Sequence, residues 1–363
     1  MKRRPLLPVI ALVVLQACAS TSVETPRRPA LSDAELLSGK VLGWTSPPAP
    51  LPSREDAFGL DDDMRAFIAS VPPGDPNTTA NKLLDGMRVG GMLSLHYADD
   101  YTRTARGTFH DRVGNCLSFT MLFVGLARAA GLDARYQLVD VPPTWSDDIG
   151  LVSVTKHINA IVATPPRAIV VDFNDEYFHE QYPTLVIDDD YAAAFYYSNL
   201  GAEALGRREN ELSFALLSKA ARTYPDMAAA WVNLGVLYRR LQHLDYAEAA
   251  FLRALEADPG EQSAFSNLES VSKTLGNTEL AERYAAQVRR YREINPYYHY
   301  AAARAAFNEQ RYDDALASLR TAIRLKADED DFYSLQGQAL AALGRDGEAV
   351  ESFARAKELA ARR

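Results

Sequence analysis

Three residues have the types and the order needed for acyl transfer through a thioester: Cys116, His157 and Asp172. Cys116 follows Gly114-Asn115 and opens the apolar stretch Leu117 to Ala130, whose composition predicts a helix. A thiol at a helix N-terminus gains thiolate character from the helix dipole, and a neighbouring imidazolium stabilises that thiolate further. The same imidazole can then protonate a leaving amine. An acidic partner fixes its tautomer and orientation, as aspartate does in Ser-His-Asp triads. Developing oxyanion charge needs donors, of which the backbone N–H of Cys116 is one and the second is not identified by the sequence. Each residue type alone has an ordinary structural role: a buried small hydrophobe, a satisfied strand histidine, a strand-end cap. The combination in this order points to catalytic geometry.

These residues need a helix and a pair of strands to meet. After the Cys116 helix, Gly131 is placed to stop it, and Ala134 to Val141 reads as a strand closed by Pro142-Pro143. Two further strands, His157 to Val162 and Ile169 to Phe173, flank a linker containing Ala163-Thr164-Pro165-Pro166. A hairpin with the four-residue loop Ala163 to Pro166 sets Val162 against Arg167 and His157 directly against Asp172. Opposed side chains have Cβ atoms roughly 4.5–5.5 Å apart, within reach of a carboxylate–imidazole hydrogen bond. A slip of one residue would put the two on different faces. Upstream, Asp61-Asp62-Asp63 suits a helix start before Met64, Phe67, Ile68 and Val71, and a second helix carries Leu83, Leu84 and Met87.

Gly114-Asn115-Cys116-Leu117-Ser118-Phe119, the helix ending in Ala130-Gly131-Leu132, His157-Ile158-Asn159-Ala160 and Val170-Val171-Asp172-Phe173 together resemble the bacterial transglutaminase-like superfamily. The resemblance covers Asp61 to Tyr191. It implies a papain-like α+β fold and a Cys116, His157, Asp172 triad in a superfamily of peptidases, amidases and cross-linking acyl transferases, some of which have lost activity.

From Ala194 the chain becomes periodic. Trp231, Leu234, Gly235, Tyr238, Ala247, Phe251 and Pro259 match the tetratricopeptide pattern, and Ala247, Ala281, Ala315 and Ala349 recur at its 34-residue period. Five repeats are expected, beginning at Ala194, Ala228, Gln262, Pro296 and Asp330, the third lacking several large signature residues. Stacked, they form an all-α superhelix whose concave surface suits an extended peptide or a partner protein. Trp231 and Tyr238 are expected in the packing, as is the cluster Tyr297, Tyr298, His299 and Tyr300 at a crowded helix junction.

The N-terminus reads as an export signal: Lys2-Arg3-Arg4, an apolar run from Leu6 to Leu15, then small residues. Leu15-Gln16-Ala17-Cys18 resembles the lipobox of bacterial lipoproteins, which implies a lipidated Cys18 and, with Ala19 following, an outer-membrane anchor facing the periplasm. Lipid at Cys18 would leave Cys116 with no disulfide partner, since the chain has two cysteines. The Ser-, Thr- and Pro-rich stretch that follows predicts a semi-extended spacer, interrupted by one helix where Ser32 and Glu35 fit a capping box. Trp44 within it reads as a docking contact or a solvated aromatic.

The organisation expected is therefore a signal peptide (1–17), a lipidated N-terminus and linker (18–60), a transglutaminase-like domain (61–193) and five repeats (194–363). A net charge of −9 without a basic run argues against a nucleic-acid partner. No histidine or carboxylate spacing suggests a metal or other cofactor. The function expected is a lipid-anchored cysteine hydrolase acting on amide bonds, a peptidase or amidase in preference to a cross-linking enzyme, with repeats that recruit a protein or peptide. The alternative is a repeat scaffold with an inactive transglutaminase-like domain.

Overall fold

The computed structural model describes residues 31–361 except 45, 73, 89–90, 99–100, 142–143, 146–151, 154–156 and 174–181. The export signal and Cys18 lie outside the described residues. The described part has an N-terminal mixed α/β region followed by an all-helical stretch of paired helices.

The chain opens with α1 (Asp33–Leu36), α2 (Arg54–Phe58), α3 (Asp62–Ser70) and α4 (Pro76–Met87). The Ser32–Glu35 capping box expected for α1 is present, Ser53 and Asp56 form another at α2, and the Asp61 side chain accepts from Met64 N–H at the start of α3. Then follow β1 (His96–Tyr97), α5 (Ala105–Asp111), β2 (Val113–Gly114) and α6 (Cys116–Ala129). Helix α6 ends as expected, with Gly131 at φ +85°. Next come β3 (Ala134–Val139), β4 (Thr144–Trp145), β5 (Val152–Ser153), β6 (His157–Val162), β7 (Ile169–Val171) and β8 (Thr184–Ile187). The main sheet is antiparallel in the order β7-β6-β3-β8. Its Ile158, Ala160 and Val162 are fully buried in one cluster with Leu117, Phe123 and Val124 of α6, so the helix that carries Cys116 forms the core under the strand that carries His157.

Five helix pairs complete the chain: α7 (Asp189–Gly206) with α8 (Asn210–Thr223), α9 (Ala228–Arg240) with α10 (Leu244–Ala257), α11 (Gln262–Thr274) with α12 (Thr278–Ile294), α13 (Pro296–Asn308) with α14 (Tyr312–Leu325), and α15 (Asp330–Ala342) with α16 (Asp346–Ala360). Four of the five first helices begin where the 34-residue period puts them; α7 begins five residues ahead of Ala194 because Asp188 caps it on Tyr191 N–H. Within a pair the helices meet closely enough that a Cβ at Gly235 would lie 2.5 Å from the Phe251 ring. Trp231 and Tyr238 are fully buried, and Tyr297 meets the Phe332 ring edge-on while Tyr300 lies tilted against it between pairs, as expected of packing residues. One hydrophobic cluster runs from Leu36 through the α/β region to Tyr284 of α12, while the last two pairs have small clusters of their own.

The stretch expected to be a spacer is docked where it is described. Leu36 is fully buried, its carbonyl accepts from the Tyr238 hydroxyl, and Leu37 O accepts from Arg222. Arg253 reaches Asp33 at 3.2 Å, Lys219 reaches Pro52 O at 2.6 Å, and Trp44 packs on Phe214 at 5.9 Å between ring centroids. Ordered structure thus begins well before Asp61, because two adjacent leucines find an apolar seat on the repeats.

Candidate active site

Helix α6 starts at Cys116 because Asn115 caps it: Asn115 Oδ1 accepts from Ser118 N–H at 3.0 Å and from the Ser118 hydroxyl at 2.9 Å. Gly114 is required by the tightness of this turn, since a Cβ there would lie 2.7 Å from Ser118 Cβ. The amide of Asn115 donates to Thr102 Oγ1 at 2.9 Å, and Thr102 N–H donates to Glu203 of α7 at 2.8 Å. The cap that places the thiol is therefore tied to the first repeat helix. In Asn115→Ala the lost cap and the unpaired Thr102 and Ser118 should cost about 1–3 kcal/mol, read as a lower urea midpoint.

His157 is 2% exposed and Asp172 has a 6% exposed side chain. His157 Nε2–H donates to Asp172 Oδ2 at 2.7 Å, and Asn159 Nδ2 donates to the same oxygen at 2.9 Å. The imidazole also hydrogen-bonds the Cys116 side chain. With Nε2 committed to Asp172, Nδ1 is the nitrogen left for the thiol. Burial alone would depress the imidazole's pKa, but the hydrogen bond to Asp172, that to Cys116 and the charges of both groups together raise it to about 9. His157 is thus an imidazolium at neutral pH, beside a thiol at a helix N-terminus.

The strand register differs from the expected one. Val162 pairs with Ile169, Ile161 with Val170 and Ala160 with Val171, so the loop is six residues, 163–168, rather than four. In this register Asp172 lies past the end of the ladder at the level of Asn159, and His157 is its diagonal neighbour. The slip is two residues, an even number, so His157 and Asp172 stay on one face. Asn159, which the sequence reading passed over, takes the place directly opposite; its signal was its position two residues from His157 on a strand.

As the first residue of α6, Cys116 has a backbone N–H without an intrahelical acceptor, the expected oxyanion donor. The Asn115 amide is spent on Thr102 and does not supply the second.

Cys116 and His157 open into a cavity of about 520 Å³. Its opposite wall is built by the first helices of the repeats: Tyr191, Phe195, Ser198 and Asn199 of α7, Ala228, Ala229, Val232 and Asn233 of α9, and Ser263 of α11. Asn199 and Asn233 occupy the same place in successive repeats, one period apart, a signal that was available in the sequence. Among the described residues no group of three or more His, Cys, Asp or Glu side chains could hold a metal ion.

Residues 72–172 match the model of the transglutaminase-like superfamily, and residues 228–261, 274–328 and 300–362 match tetratricopeptide repeat models. The chain carries a transglutaminase-like domain followed by tetratricopeptide repeats, and the superfamily match spans Cys116, His157 and Asp172. Superkiller protein 3 of Schizosaccharomyces pombe is 26% identical over 174 residues, which are 45% of this chain and 12% of that protein. The chain therefore spans only a small part of that relative's length. Among solved structures, YrrB, a repeat protein with an unusual peptide-binding site, is similar at 22% identity with a TM-score of 0.27, covering 46% of this chain and 86% of its own. MamA from Desulfovibrio magneticus RS-1 is similar at 18% identity with a TM-score of 0.27, covering 48% and 98%.

Proposed function

We propose that this protein is a lipid-anchored cell-envelope cysteine hydrolase that cleaves amide bonds of a protein or peptide through a thioester on Cys116. The observation that carries the reading is the buried His157 imidazole, held at 2.7 Å by Asp172, hydrogen-bonded to the Cys116 side chain and open to a cavity. Cys116 attacks the carbonyl carbon, its own N–H binds the oxyanion, and His157 gives its Nδ1 proton to the departing amine. Water, deprotonated by the now neutral imidazole, then hydrolyses the thioester. Hydrolysis is preferred to cross-linking because water is the default acceptor. The repeats supply the far wall of the cavity, which supports their role in presenting the substrate. The anchor rests on the lipobox-like Leu15-Gln16-Ala17-Cys18 and on Ala19, which together suit an outer membrane with the enzyme facing the periplasm.

Cys116 should react with iodoacetamide near neutral pH faster than a free thiol, and His157→Ala should slow this by about tenfold or more. Alkylation at the free-thiol rate in both proteins would overturn the reading. If Cys116→Ala leaves cellular function intact, the domain serves as a scaffold instead.

A further inference from the structure

Among the described residues the cavity beside Cys116 is lined by the carboxylates Asp226, Asp258 and Glu261 and by no lysine or arginine, and His157 is the basic side chain of its wall. Asp226 is paired with Arg253 outside the cavity at 3.2 Å. Glu261 is different. It is 9% exposed, its Oε1 accepts from Ser263 N–H at 3.0 Å, and among the described residues it has no further hydrogen-bond donor and no basic side chain paired with it. A buried carboxylate without a counter-charge is costly and is retained only where something compensates it.

The repeats contain their own control for this position. Helices α13, α14 and α15 start two repeat periods after α9, α10 and α11, which makes Glu329 the counterpart of Glu261. Glu329 is 2% exposed and fully served: Tyr297 Oη donates to it at 2.7 Å and Lys326 Nζ lies at 3.4 Å. The residue at the place of Lys326 is Asp258, and the residue at the place of Tyr297 is Ala229; both line the cavity. The cation has been replaced by a second carboxylate, and the aromatic ring that would have filled the space by a methyl group. The same repeat position is a closed ion pair in one place and an open, doubly acidic recess in the other.

We propose that this recess binds a lysine or arginine side chain of an extended peptide substrate, with its charge between Glu261 and Asp258 while the peptide's scissile carbonyl sits at Cys116. The proposal deepens the reading of Cys116 as a nucleophile by naming what it acts on. A sphere of 520 Å³ is about 10 Å across, or about three residues of extended chain at roughly 3.3 Å each, so the basic residue and the scissile bond lie within about three residues of one another. Along the same wall, Asn199 offers its amide and Asn233, whose Nδ2 donates to Ser198 Oγ at 3.4 Å, its carbonyl oxygen to the peptide backbone between them. Two carboxylates hold an amine protonated and therefore not nucleophilic, so the basic residue is an anchor and not an acyl acceptor. Arginine, which cannot act as an acceptor, should serve as well as lysine.

The test separates the recess from the chemistry. In the Cys116→Ala protein, calorimetry with acetylated, amidated tripeptides should show Gly-Arg-Gly binding at least tenfold tighter than its neutral isostere with citrulline. Glu261→Gln should erase that ratio. Asp258→Lys, which installs the internal cation found beside Glu329, should erase it too while keeping the fold, as judged by an unchanged or raised melting temperature. Equal binding of the arginine and citrulline peptides, or a preference that survives both substitutions, overturns the proposal. In the unsubstituted protein, peptidyl chloromethyl ketones with lysine or arginine within three residues of the warhead should modify Cys116 at least tenfold faster than those with norleucine. An arginine preference in binding without fast modification of Cys116 would support the recess and sink the nucleophile reading alone.

Discussion

Replacing Asp172 with alanine should lower turnover by about three to four orders of magnitude, the scale on which the orienting acid of a nucleophile–histidine–acid triad acts. The reason is visible in what holds His157. Its proton is stabilised against burial first by the hydrogen bond to Asp172, then by the contact with Cys116 and by the charges of both. Without the carboxylate, its hydrogen bond and its charge no longer offset burial, the largest influence, and the imidazole's pKa should fall from about 9. Histidine ring NMR of the two proteins reads this directly. In the unsubstituted protein, the turnover proposed above should fall as pH rises through about 9, where the general acid is lost, whereas alkylation of the thiolate should persist. Stability follows the same group. A folded-state pKa raised from 6.5 to about 9 contributes stability that is complete below about 6.5 and is lost as pH rises through about 9. A variant whose His157 still titrates near 9 would show that Asp172 does not set its charge.

Much of the site could be read from the chain because its parts are local. Asn115 before an apolar run announces a helix start, and the tetratricopeptide spacing fixes helix starts to the residue from α9 onward. Strand pairing was less legible, since the loop 163–168 decides it and loop length is not written in the flanking strands. His157 and Asp172 still meet, because register errors of two residues preserve a face. The Asn199–Asn233 spacing is present in the sequence, but that these residues form the wall opposite Cys116 could not be read from it. Nothing in the α/β segment says that Asn199 and Asn233 close its cavity, since that depends on Arg128 clasping Asp189 at 2.9 Å and Glu203 receiving Thr102, contacts between residues far apart in sequence. Glu261 became conspicuous only when its environment could be compared with that of Glu329.

Leu36→Ala should destabilise the protein by about 2–5 kcal/mol, as for other fully buried leucines, read as a lower urea midpoint together with faster hydrogen exchange over residues 31–44. The size follows from position: Leu36 belongs to the same hydrophobic cluster as the Cys116 helix and the first repeats. Its removal leaves a cavity where Tyr238, Phe214 and Arg222 converge on the arm. The arm lies against α8, α10 and Tyr238 of α9, and its contact residues Phe214, Lys219, Arg222, Tyr238 and Arg253 are not among those that line the cavity, so Leu36→Ala should weaken the fold with little change in the initial alkylation rate of the folded protein. For the anchor proposed at Cys18, docking at residue 31 leaves thirteen residues of tether, at most about 45 Å when fully extended. A free linker to residue 60 would allow about three times that reach. An unchanged midpoint and unprotected amides over 31–44 would return the arm to the role of a loose spacer.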